Sequence, residues 1–178
     1  MITYQSEYPK ILLSAEQIRK RVQEMARQIS RDYRGKTLHV VGVMENGFIL
    51  MADLVRELEL NVVCQFVRAE FKEANPSTTE VFFSPEVDVN GQHVLLVEAL
   101  VQSGVTSEFL IRHMLGRGAA TVKLAVLLDK QSARRVSLQP DYFGFLMNEN
   151  FVVGYGLGER HFGRNLPYIA GRAEPGLP

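Results

Sequence analysis

Glu98, Gln102, Ser103, Gly104 and Thr106 are the residues whose types and spacing come nearest to a chemical site in this chain. They close an apolar run, His93-Val94-Leu95-Leu96-Val97-Glu98-Ala99-Leu100-Val101, of the kind that forms a strand buried on both faces of a parallel sheet. Gln102-Ser103-Gly104 then makes a small polar turn, and a segment with helical spacing begins at Val105 and Thr106. Strand, glycine turn and helix start together make an anion site. The first backbone N–H groups of a helix lack internal partners and carry the positive end of its dipole. A phosphate is the usual guest. The same pattern recurs in α/β proteins that bind nothing there, so a purely structural reading stands beside it.

Other residue types offer less. His39, His93, His113 and His161 have no metal-ligand spacing with one another or with the acids, and His39 and His93 fall within strands as structural residues. Ser103 has no triad partners in view, so nucleophilic catalysis is not expected. Gly154-Tyr155-Gly156 is too short for a dinucleotide fingerprint and follows the wrong element. Cys64 is the only cysteine, which excludes an intramolecular disulfide and a cysteine metal cluster.

The elements that must position the turn follow from periodicity. Met1 to Lys10 is polar and reads as an arm. Ser14 and Gln17 fit a capping box, and Ile18, Val22, Ala26 and Ile29 repeat at helical spacing after it. Leu38 to Val43 reads as a buried strand, Met44-Glu45-Asn46-Gly47 as a turn, and Phe48 to Leu58 as a helix with Ile49, Ala52 and Val55 or Leu58 inward. Val62 to Val67 is a further strand. Glu70 to Thr79, which carries Pro76, is the longest loop and a candidate lid. Val81 to Phe83 is a short strand, a helix runs to about Leu115, and Thr121 to Leu128 is again a buried strand. Gln131 to Gln139 is polar, Tyr142 to Leu146 and Phe151 to Val153 are short strands, and the tail frays from Ala170.

Alternating strands and helices predict an α/β fold with a doubly wound, mostly parallel sheet and helices on both faces. Ligands in such sheets sit beyond the carboxyl ends of the strands, here at the turns after Val43, Val67, Val101 and Leu128. At 178 residues the chain reads as one domain over 1–170 with a tail at 171–178. Twenty basic residues balance twenty acidic ones, so neither nucleic acid nor an anionic membrane is expected as a partner. No apolar run approaches a transmembrane length, and Met1 is followed by polar residues rather than a signal peptide, which points to the cytoplasm.

Five stretches in order resemble one family. Val41 to Phe48 with Met51 to Val55 is similar to its first active-site loop and following helix, and Val94 to Thr106 to its phosphoribosyl-diphosphate motif. Leu127 to Lys130 is similar to its purine-recognition strand end, Phe151 to Leu157 to its purine-stacking segment, and Arg164 to Pro167 to its closing loop. On these motifs the chain resembles the hypoxanthine-guanine phosphoribosyltransferases from about Lys10 to Ile169. The resemblance implies the type I phosphoribosyltransferase fold with a small hood beside the main sheet.

It also implies residue roles, and these divide into two halves. Ser103, Gly104, Val105 and Thr106 fall where the family holds the 5′-phosphate, Val105 standing where some members have lysine. Lys130 falls where a lysine contacts the purine's exocyclic oxygen, which favours 6-oxopurines. Phe151 matches the aromatic that stacks on the base, and Val152 the residue whose backbone meets the base edge. The chemical half departs from the pattern. Of two adjacent acids that engage the ribose, Glu98 is kept and Ala99 replaces the other. Gln102 stands at the position of the general base, and an amide has no basic site near neutral pH. Gly158 replaces an acid associated with magnesium. The pyrophosphate loop reads Met44-Glu45-Asn46, and a Glu45 carboxylate facing pyrophosphate would repel it unless a cation intervened. Arg164 is kept at the pyrophosphate end, and Glu70-Phe71 falls at a Ser-Tyr pair of the lid.

The expected function is therefore a purine-salvage protein that binds a 6-oxopurine nucleoside 5′-monophosphate. As an enzyme it would transfer phosphoribosyl from phosphoribosyl diphosphate to hypoxanthine or guanine, with magnesium, at a reduced rate. The alternative is a non-catalytic purine-nucleotide-binding regulator, or a partner subunit of an active paralogue. Expected partners are a purine nucleotide, or a purine base with phosphoribosyl diphosphate, and a homodimer or homotetramer is the expected assembly.

Overall fold

The computed structural model describes residues 10–71, 79–83, 88–158 and 163–171. The expected arm before Lys10, the middle of the candidate lid and His161 lie outside them.

The first helix starts where its capping chemistry predicts. The Ser14 Oγ accepts from the Gln17 backbone N–H at 3.2 Å, and the Gln17 side chain accepts from the Ser14 N–H at 2.9 Å. From there α1 (Ala15–Asp32) runs with Ile18, Val22, Met25, Ala26 and Ile29 buried. It precedes β2 (Thr37–Val43), α2 (Phe48–Glu57), β3 (Asn61–Phe71), β4 (Thr79–Phe83), β5 (His93–Val101), α3 (Val105–Gly116), β6 (Thr121–Asp129) and β7 (Tyr142–Leu146). The main sheet has the order β4-β3-β2-β5-β6-β7. All its neighbours pair in parallel except β4, which runs antiparallel to β3.

Alternate residues of the central strands point to opposite faces, and each face carries its own core. Leu38, Val40, Leu95, Val97, Ala125 and Leu127 pack with α1 and α2. Val41, Val94, Leu96, Leu124 and Val126 pack with Leu110 and Met114 of α3. The fold is thus the expected type I phosphoribosyltransferase arrangement, an α/β sheet covered on both sides. Beside it lies the hood, a small antiparallel sheet of β1 (Lys10–Leu13), β9 (Ile169–Gly171) and β8 (Val152–Val153) in the order β1-β9-β8.

Four local expectations are corrected. The inward face of α2 is Leu50, Met51 and Leu54; Ala52 is exposed, Ile49 and Val55 are half-buried at the edge of the core, and Leu58, just past the helix, is buried as expected. Phe48-Ile49-Leu50-Met51 is apolar on every side, so periodicity left the phase open, and the close seat of the helix on β2 decides it. A Cβ on Gly42 would lie 2.4 Å from the Met51 sulfur. Next, β3 does not turn after Val67 but continues to Phe71, where it pairs with β4 as a hairpin, so Glu70 and Phe71 belong to a strand. Phe151 lies just outside β8. Last, Ala170 and Gly171 do not fray: both are buried in β9, where Gly171 pairs with Lys10 and Val152. Among the described residues no helix is long and apolar enough to cross a membrane.

Candidate active site

Three adjacent strands, β2, β5 and β6, end at the same edge of the sheet. Each delivers one of the expected site segments there: Met44-Glu45-Asn46 after β2, Gln102 to Thr106 after β5, and Lys130 after β6.

The middle segment is built as a cradle. Gly104 is the N-cap of α3 and adopts a left-handed φ of 79°, with no side chain capping the helix. The Ser103 hydroxyl lies 3.4 Å from the Val105 N–H. The helix therefore opens towards the edge of the sheet with its first N–H groups turned to a prospective anion. Gln102 is exposed, Ser103 and Thr106 are half-buried, and Val105 is exposed.

Glu98, in β5 four residues before Gln102, is the most perturbed acid among the described residues. Its Oε1 is buried without a hydrogen-bond partner. Burial pushes the carboxyl up to about 7, against the opposing influence of a Ser107 hydrogen bond and the Arg134 charge. The first loop reaches over it: a Cβ on Gly47 would lie 2.7 Å from the Val97 carbonyl and 3.4 Å from the Glu98 Cα. Only glycine fits there.

The loop after β2 contains a cis Met44–Glu45 peptide bond. Its acid does not point unopposed into an anion site. Arg164 Nη2 donates to Glu45 Oε2 at 3.2 Å, and Arg68 Nη2 lies 3.9 Å from Glu45 Oε1. Arg164 Nη1 also donates to the Asn46 side chain and, at 2.7 Å, to the Gly156 carbonyl. The expected pyrophosphate-side residues Glu45, Asn46 and Arg164 thus form one cluster, and exposed Met44 adjoins it.

Lys130 is 8% exposed, so it is not a lysine simply solvated at the end of its strand. Its ammonium donates to the Glu149 carbonyl at 3.1 Å and to Asn150 Oδ1 at 3.0 Å. Two of three donors are engaged, and the third is available for a ligand carbonyl. The same bonds fix the chain just before Phe151, whose ring is 58% exposed and so is not core. Val152 follows in β8.

Sequence reasoning missed two groups. Asp129, 1% exposed, pairs with Arg134 and accepts from Gln131 Nε2 at 3.1 Å. The signal was present: an acid that ends an apolar strand needs a counter-charge, and Arg134 follows it five residues later. Tyr155 was not singled out either. Its hydroxyl donates to Asp53 Oδ2 at 2.5 Å, and burial together with that acceptor pushes the phenol up.

The residues do not fit a resident magnesium site. Ala99 and Gly158 bring no side-chain oxygen, which leaves Glu98 without a neighbouring acid in the motif, and no cluster of three metal-ligating side chains occurs among the described residues.

Comparison with known proteins agrees with this layout. A model of the phosphoribosyl transferase domain matches residues 10–160. The hypoxanthine-guanine phosphoribosyltransferase of Bacillus subtilis is 32% identical over 163 residues, which cover 90% of this chain and 91% of that protein. The bifunctional protein TilS/HprT of Listeria innocua is 33% identical over 167 residues, 92% of this chain, but the match spans only 26% of that longer protein. A crystal structure of a hypoxanthine-guanine phosphoribosyltransferase (hpt-2) from Bacillus anthracis superposes with a TM-score of 0.88 at 34% identity, covering 94% of this chain and 99% of that one.

Proposed function

Because the chain belongs to the hypoxanthine-guanine phosphoribosyltransferase family, we propose that it binds a 6-oxopurine nucleoside 5′-monophosphate and transfers phosphoribosyl to hypoxanthine or guanine slowly. The observation that carries the reading is the meeting of a phosphate cradle, a buried lysine with one of its three donors left over, and an exposed aromatic ring at neighbouring strand ends. Ser103, Gly104, Val105 and Thr106 take the 5′-phosphate, Glu98 the ribose, and Lys130, Phe151 and Val152 the base.

Transfer forms a bond from a purine nitrogen to the anomeric carbon, breaks that carbon's bond to pyrophosphate, which leaves with the bonding electron pair, and sends a proton from the purine to solvent water or to the departing pyrophosphate. Gln102 can hydrogen-bond to the purine but cannot accept its proton, a deficit worth roughly 10²–10⁴ in rate. Magnesium finds no resident site, so it would enter with the diphosphate as part of that substrate.

A second reading, a purine-nucleotide-binding regulator or a partner of an active paralogue, is favoured by the side chains at 99, 102 and 158 alone. Calorimetry separates the two. GMP or IMP binding followed by binding of magnesium phosphoribosyl diphosphate and slow nucleotide formation supports the transferase. Nucleotide binding with no diphosphate binding leaves the regulator. Turnover at a rate normal for such enzymes would overturn the argument from Gln102. A homodimer or homotetramer in the cytoplasm belongs to the same proposal and is tested by light scattering of the purified chain.

A further inference from the structure

The segment after β6 runs alongside the phosphate turn and is joined to it at both ends. The Lys130 N–H donates to the Val101 carbonyl at 3.0 Å, and the Arg135 N–H donates to the Ser103 carbonyl at 2.9 Å. Between these bonds the Arg134 side chain, 12% exposed, lies against Gly104. A Cβ at 104 would come within 3.0 Å of Arg134 Cδ and 3.1 Å of its Nη1. The left-handed glycine thus rests on the guanidinium. That group is fixed from below by Asp129, itself held by Gln131. Arg134 Nη1 is buried and has no hydrogen-bond partner.

We propose that Arg134 is a positioning residue that couples the purine side of the site to its phosphate side, by holding the turn at Ser103 and Gly104 in register with the segment that carries Lys130. This rests on the proposed reading of the turn as a 5′-phosphate site. The physical reason is rigidity. A bidentate-capable, planar guanidinium clamped by a buried carboxylate has one orientation, whereas a lysine at the same place would be a flexible point charge. Burying such a pair beside a turn is a poor way to gain stability, but it fixes a backbone that must present its N–H groups to an anion in one geometry. Arg134 also sets a field at Glu98, whose other neighbour is the Ser107 hydroxyl from α3, with the Asp129 carboxylate beyond the guanidinium.

The test uses the full chain with Arg134→Lys and the neutral pair Asp129→Asn with Arg134→Gln, which leaves no buried carboxylate unpaired. GMP affinity is read by calorimetry, and the Glu98 carboxyl by carbon NMR across pH in the ligand-free protein. Both variants should bind GMP about tenfold more weakly, the loss expected for one misaligned hydrogen bond to a charged group. The neutral pair should also move the Glu98 midpoint upward, because Arg134, the member of the pair whose charge is felt at Glu98, is neutralised while the carboxylate lost with it lies beyond the guanidinium, whereas Arg134→Lys should not. A merely structural role would lower the melting temperature and leave GMP affinity unmoved, and that result overturns the proposal. If the unaltered chain binds no GMP, the proposed function fails, and amide hydrogen exchange at Ser103 to Val105 decides the positioning role by itself: faster exchange in Arg134→Lys supports it, and unchanged exchange overturns it.

Discussion

Glu45 Oε2 accepts a hydrogen bond from Arg164 Nη2 at 3.2 Å, although the two residues stand 119 positions apart in the chain. With Arg68 on its other oxygen, the carboxylate is neutralised by arginines from β3 and the closing loop. Any anion arriving at this end of the site meets an arginine that already has one.

Glu45→Gln should therefore tighten binding of inorganic pyrophosphate. The ion pairs are partly exposed, so the gain is modest, about two- to fivefold in Kd. Calorimetric titration with pyrophosphate checks it, and weaker binding by the variant would show that Glu45 orders the loop rather than competing for its cation.

Lys130→Ala should weaken GMP binding by about tenfold or more, since a charge-assisted hydrogen bond to the purine oxygen is worth about 1.5–3 kcal/mol. Adenine nucleotides, which lack that oxygen, should lose less. Equal losses for GMP and AMP would mean that Lys130 acts only by holding Glu149 and Asn150.

Glu98 makes stability depend on pH in the reverse of the usual acid sense. Its folded value, about 7, exceeds the ordinary 4.5. Both states are protonated below about 4.5. Between there and 7 the unfolded chain gives up its proton first, and the folded state loses about 1.4 kcal/mol per pH unit. Glu98→Gln should remove that slope, so its stability relative to the unaltered chain should rise from pH 5 to pH 8 in urea unfolding. An unchanged difference would place the carboxyl in a wetter setting.

How much of this was legible beforehand depends on whether the deciding interaction is local. Ser14 and Gln17 satisfy each other within one turn, so the start of α1 could be read directly. The cradle at Ser103 to Thr106 was equally legible, being a backbone device written in contiguous residues. The inward face of α2 was not, because Met51 is chosen by contact with Gly42 on another element. Ala170 looked like the start of a loose tail because its glycine- and proline-rich neighbours obscured pairing with β1 and β8, both distant in sequence. Glu45 read as a repulsive charge for the same reason: its partners Arg68 and Arg164 lie on other segments.

Among the described residues, the segments that flank β8 of the hood are stitched to the body of the molecule at three places, through Asn150 to Lys130, Tyr155 to Asp53, and Arg164 to Asn46. The first stitch lies beside the proposed base pocket and the last at the opposite, anionic end. A base and a diphosphate would thus be gripped by one shared body rather than by independent walls. Whatever factor one ligand adds to the affinity of the other must be returned in equal measure. Such reciprocity would let the presence of one ligand report on the other without any bond being made.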